Sequence, residues 1–251
     1  MTFRKLSTDG KNYTINNRIS YKPTVDLNKY VQDVFDFAYG MTFGNTGHHR
    51  AHRTGGQYGR RNGELFINAF QGKLAEFGIW SVLSSNGIDT PKPDLEKWGE
   101  GKWDDSDMKI NGYHVSIKST SSKGNLLLLE KDDWDPEGRY IPNSGTNNEY
   151  VDFHLFCRVD PDGKSLLKEK KWMLLDEIDK NELFNLIKNV SWSMDCPGYI
   201  TNDDLKYLIA NNFILPKNST LHTWTKMDAS NYYCQAGDLR PIIELFKNLK
   251  A

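Results

Sequence analysis

The chain has 251 residues, 38% hydrophobic and 26% charged, a balance that suits one large domain with its own core and excludes a disordered or fibrous chain. A formal net charge of −1 excludes recognition of nucleic acid by whole-molecule charge, so any such contact has to come from a local patch. Three scattered cysteines give neither a disulfide framework nor a zinc knuckle, and no apolar run marks a signal peptide or a membrane span; the expectation is a cytoplasmic protein without a membrane partner.

Residues 1–24 are polar and aperiodic and read as a flexible arm. Residues 26–39 read as a helix, with Leu27, Tyr30, Val31, Val34 and Phe37 along one side. The next stretch, residues 40–63, contains three of the six histidines and four arginines among many glycines, and no acid falls between Asp36 and Glu64. A second helix is expected over 64–85, closed by Asn86-Gly87. Residues 89–105 are turn-rich, with room for a short strand at 92–98.

Asn111-Gly112 is a two-residue hairpin signal, because both central positions of a type I′ turn need positive φ. Folding the chain about it puts Ile110 opposite Tyr113, Lys109 opposite His114 and Met108 opposite Val115. Asp107 then falls opposite Ser116, and Asp105 opposite Lys118. One face is apolar (Met108, Ile110, Tyr113, Val115, Ile117). The other gathers Asp105, Asp107, Lys109, His114, Ser116 and Lys118. The plain alternative is an amphipathic hairpin with a solvated charged face.

Strands are expected at 125–130 and at 151–159, where Val151, Phe153, Leu155, Cys157 and Val159 alternate. The last third, residues 166–251, reads as mainly helical. Its signals are a helix over 176–189, a capping box at Thr201 and Asp204, and a final helix behind Pro241. The fold class is α/β in the α+β sense, a mixed central sheet flanked by helices. The chain divides into residues 1–61 (arm, helix and basic loop), a core at 62–165 and a C-terminal part packed on the same domain.

A carboxylate and a lysine on neighbouring strand positions suit metal-assisted phosphodiester hydrolysis, in which the metal activates water and an ammonium stabilises developing phosphate charge. Asp107 with Ser116-Ile117-Lys118 on a hairpin resembles the P-D…(D/E)-x-K nuclease superfamily, type II restriction endonucleases in particular, over about residues 62–160. The resemblance implies a restriction-endonuclease-like core, Mg²⁺ with Mn²⁺ as a substitute, cleavage of double-stranded DNA and a homodimer on palindromic sites. It also implies roles. Asp107 and a second acid bind metal, Ile117 adds its backbone carbonyl, Lys118 assists the attacking water and Ser116 lines the site. Ser116 departs from the pattern, since it stands where a carboxylate is expected. Glu76, on the preceding helix amid apolar neighbours, is the preferred replacement, and Glu130 is its rival. Asp94, in a literal Pro93-Asp94, and Asp105 are rivals for Asp107.

The acid-free loop offers His48, His49, Arg50, His52, Arg53, Arg60 and Arg61 to DNA phosphates or bases, with a solvated surface loop as the plain alternative. A zinc site at His48, His49 and His52 lacks an H-E-x-x-H pattern or a nearby cysteine and is set aside. Alternatives to a restriction enzyme are a repair or structure-selective nuclease of the same superfamily and a catalytically inactive DNA-binding protein.

Overall fold

The computed structural model describes residues 2–44, 60–95, 107–143, 150–222 and 225–250. The chain opens with an antiparallel hairpin, β1 (Ser7–Asp9) and β2 (Asn12–Thr14), turned at Gly10 with φ 59°. The arm expected to be flexible is therefore ordered. Distant buried side chains hold its backbone. Gln235 Oε1 accepts from the amides of Asn16 and Asn17 at 2.9 and 3.0 Å, and Arg158 donates to the carbonyls of Ile19 and Ser20 at 2.7 and 3.0 Å.

Strand β3 (Val25–Asp26) precedes helix α1 (Val31–Phe43), with a 3-10 turn between. The helix expected from residue 26 starts later because Val25 and Asp26 pair with Met194 and Ser193. Helix α2 (Asn62–Ser85) matches the expected span to within two residues and buries Phe66, Ile67, Phe70, Leu74 and Phe77. No strand forms over 92–95; the rest of that segment lies outside the described residues.

The hairpin β4 (Met108–Ile110) and β5 (Tyr113–Ser121) follows, then β6 (Leu126–Glu130) and β7 (Phe153–Asp160). Next come α3 (Gly163–Glu169), α4 (Lys180–Lys188), β8 (Ser193–Thr201) and α5 (Asn202–Ala210). Four strands, β9 (Ile214–Leu215), β10 (Thr220–Leu221), β11 (Thr225–Lys226) and β12 (Asn231–Gln235), lead to the last helix, α6 (Ile242–Lys250).

The last third is thus not mainly helical. Its helices are present, and the Thr201–Asp204 capping box closes as expected. But β8 crosses the middle of the main sheet, whose order is β3-β8-β7-β5-β4. Only β5 and β7 run parallel; the other neighbours are antiparallel. "SWSMDCPGYIT" hides this strand because Pro197 and Gly198 interrupt its apolar pattern, and the register shifts there, with Cys196 and Pro197 of β8 opposite Cys157 alone between Phe156 and Arg158 of β7.

The sheet is covered on both faces. On one, α2 packs against β5 and β7, and α1, α4 and α6 complete the core that holds Val115, Ile117, Leu155, Cys157 and Val159. On the other, a second sheet of order β6-β12-β9 and helix α5 cover Phe156 and Ile200. The alternation read along β7 picked out its first face. Its second face is buried as well and carries His154, Phe156 and Arg158. The architecture is mixed α/β, in agreement with the expected class.

Candidate functional site

The Asn111-Gly112 turn forms with φ 49° and 88°, and the register is Met108↔Val115, Lys109↔His114 and Ile110↔Tyr113, as the sequence predicts. Met108, Ile110, Val115 and Ile117 are buried against the helical layer, whereas Tyr113 stays 39% exposed and rests its ring on Phe153. On the other face Ser116 and Lys118 stand beside His154 and Phe156 of β7, their parallel-ladder partners.

Asp107 lies just before β4, exposed, and is tied to the strand opposite. Its Oδ2 accepts from Ser116 Oγ at 3.2 Å and from the Ile117 amide at 2.5 Å. The structure therefore brings Asp107, Ser116 and Ile117 together. Asp105 lies outside the described residues.

Lys118 is half-buried, and its ammonium has no hydrogen-bond or ion-pair partner among the described residues. It lines a cavity of about 390 Å³ between the main sheet and the second sheet. The same cavity is lined by Glu130, at the end of β6, by Asp133 and Trp134 just beyond it, and by Asn231 at the start of β12. Lys118 and the acid from β6 thus line one cavity because two sheets face each other, not because they lie near one another along the chain. A half-buried ammonium that shares a cavity with carboxylates and clasps none of them is an available donor for an anionic ligand.

His154 lies under this wall. It is fully buried, its ring stands edge-on to Trp134 at 5.0 Å, and neither ring nitrogen has a partner among the described residues. Burial, aided by the Lys118 charge, pushes its pKa down to about 3, so the imidazole is neutral at ordinary pH.

Glu76 sits on α2, in the helical layer, 13% exposed, and clasps Lys73 at 2.6 Å, while the Lys73 ammonium also covers the Phe37 ring. It does not line the Lys118 cavity; Glu130 does. Asp94 is exposed after a buried Pro93. Of the residues expected to hold DNA, Arg61 precedes α2 and pairs with Asp176 at 2.6 Å, and Arg60 is half-buried. His48, His49, Arg50, His52 and Arg53 lie outside the described residues.

Among the described residues, no three His, Cys, Asp or Glu side chains converge as a ready-made metal cage. The Lys118 cavity instead offers the carboxylates of Glu130 and Asp133, hard oxygen donors of the kind Mg²⁺ takes in ones and twos beside waters and a phosphate. Sequence reasoning missed Asp133, Asn231 and His154. For Asp133 and Asn231 the missing signal is the pairing of β6 with β12, which runs Glu130↔Asn231 to Leu126↔Gln235. For His154 it is the β5–β7 register.

No helix among the described residues is long and apolar enough to cross a membrane. No family model, no curated protein and no solved structure matches the chain.

Proposed function

We propose that the chain is a Mg²⁺-dependent endonuclease for double-stranded DNA, built on a restriction-endonuclease-like core and acting at the Lys118 cavity. The observation that carries this reading is the unclasped Lys118 ammonium, sharing one cavity with Glu130 and Asp133 and standing two residues from the Ser116 that Asp107 holds.

Glu130 and Asp133 are the residues that would hold the metal, which when bound supplies a Lewis acid for the phosphate and a more acidic water. Lys118 donates to the phosphate oxygens as charge builds on them, where a fixed donor in a half-buried site counts for more than in water. Asp107 fixes the β5 backbone at Ile117 and so holds Lys118 in place. Neutral His154 adds no second positive charge beneath the lysine. Cutting both strands of a palindromic site would bring two copies together about a two-fold axis.

A DNA-binding protein that does not cut is the second reading, favoured by Ser116 standing where the resemblance expects a carboxylate. The test is incubation of the protein with unmethylated phage DNA in Mg²⁺, in Mn²⁺ and in EDTA. Discrete metal-dependent fragments are expected. Lys118→Ala and Glu130→Gln should each slow cleavage by about 100-fold or more, the scale of a lost transition-state donor or metal ligand, while Glu76→Gln keeps it. Binding without cleavage in either metal refutes the enzyme and leaves the second reading.

A further inference from the structure

Next to the Lys118 cavity lies a larger cleft of about 1010 Å³, and Thr120, Leu126, Leu128 and Met227 line both. The two therefore form one continuous surface. Three cations line the larger cleft, each from a different segment: Arg18 from the N-terminal arm, Lys123 from the turn after β5, and Lys226 from β11. None of the three has a carboxylate partner among the described residues. Several arginines elsewhere are answered by acids, among them Arg61 by Asp176, Arg139 by Asp135, Arg158 by Asp195 and Arg240 by Asp204, whereas Arg18 is not.

The two acids of the cleft, Asp162 and Asp228, offset these three cations only in part. Arg18 Nη2 lies 2.7 Å from His222 Nε2, a contact in which the guanidinium donates and the imidazole accepts, so His222 is neutral there. Burial and the Arg18 charge both lower the His222 pKa, in keeping with that role. Asp162 is engaged as the cap of α3, accepting from the Lys164 amide and from Ser165 Oγ. Asp228 is the other acid in the wall. A nearly neutral chain thus has a net cationic cleft opening onto the proposed reaction cavity.

We propose that this cleft carries the phosphate backbone of the substrate DNA strand into the Lys118 cavity, with Arg18, Lys123 and Lys226 each neutralising a phosphate. The inference rests on the nuclease reading of that cavity and adds the path by which the strand reaches it. A polymer rather than a single anion fits, because the cations stand on three separate segments of a large open cleft and are not gathered into one cradle.

The test uses the full chain, a short fluorescently labelled DNA duplex and EDTA, with binding followed by anisotropy over a range of salt. Arg18→Ala, Lys123→Ala and Lys226→Ala should each flatten the slope of log K against log salt by about 1, and the triple variant by about 3, with roughly 100-fold weaker binding at low salt. Lys168→Ala, an exposed lysine on α3, should change neither. The replaced side chains are exposed, so an unchanged melting temperature checks the fold. Wild-type affinity and slope in the triple variant would overturn the proposal, as would displacement of the duplex by an equal concentration of mononucleotide. If the wild type cuts DNA while the triple variant binds normally, the cleft loses its role and the nuclease reading stands. Cleft-dependent binding without cleavage does the reverse.

Discussion

Replacing His154 by Phe is expected to remove a specific part of the acid sensitivity of the fold. The imidazole is fully buried, neither nitrogen is hydrogen-bonded among the described residues, and its pKa falls to about 3 because burial and the Lys118 charge disfavour the imidazolium. In the unfolded chain the same group titrates near 6.5. Above that value both states are neutral and His154 contributes no pH dependence. As the pH drops below it, the unfolded chain gains a proton that the folded chain refuses, so stability falls by about 1.4 kcal/mol per unit until the folded pKa is reached. Between neutrality and about pH 5 the loss is therefore roughly 2 kcal/mol from this residue alone. Urea unfolding followed by tryptophan fluorescence, at both pH values and for both proteins, isolates it, because carboxylate titrations common to the two cancel. His154→Phe should also be more stable at neutral pH by about 1 kcal/mol, since two unsatisfied ring nitrogens disappear. An equal acid-induced loss in wild type and variant would refute the reasoning, because it would mean that His154 is protonated or hydrated in the folded state.

Asp195→Ala should lower stability by about 3–5 kcal/mol in the same unfolding assay, because it leaves the fully buried Arg158 guanidinium without the carboxylate that it grips at 2.9 and 2.6 Å. Gly112→Ala should lose about 1 kcal/mol, read as a shift in urea midpoint at constant slope, because φ 88° strains a residue with a Cβ. Thr201→Ala should lower the melting temperature by an amount equivalent to about 1 kcal/mol, since it removes the capping box of α5.

What could be read from the sequence follows from the range of the interactions. The β4–β5 hairpin was legible in register from Met108 to Val115, because a two-residue turn fixes its own register and the alternating pattern then fixes the faces. Helix α2, the α5 cap and the α6 start were legible for the same local reason. The cavity around Lys118 was not, because Glu130 and Asp133 reach it through β6, a strand of a different sheet held by a partner about a hundred residues further on. The sequence favours Glu76 as the second acid because α2 precedes the hairpin and is apolar around it, and the structure places it outside the Lys118 cavity. Proximity in the chain does not say which side of a sheet a helix covers, and α2 lies on the side away from Ser116 and Lys118. The cationic cleft was equally hidden, since Arg18, Lys123 and Lys226 are separated by acids along the chain and meet only in three dimensions.

The place of β8 in the sheet has a consequence for how the chain comes off the ribosome. Its neighbours on either side, β3 and β7, are both synthesised before it. Until Ser193–Thr201 has emerged, β3 has no strand to join, β7 presents a bare edge, and the Asp195 that neutralises Arg158 is missing. The central sheet, and the wall of the Lys118 cavity that depends on it, can close only after about four-fifths of these residues have been made, when the new strand is inserted between two that are already waiting. A nascent chain arrested before that point should therefore remain protease-sensitive across β7, and one arrested well past Thr201 should not.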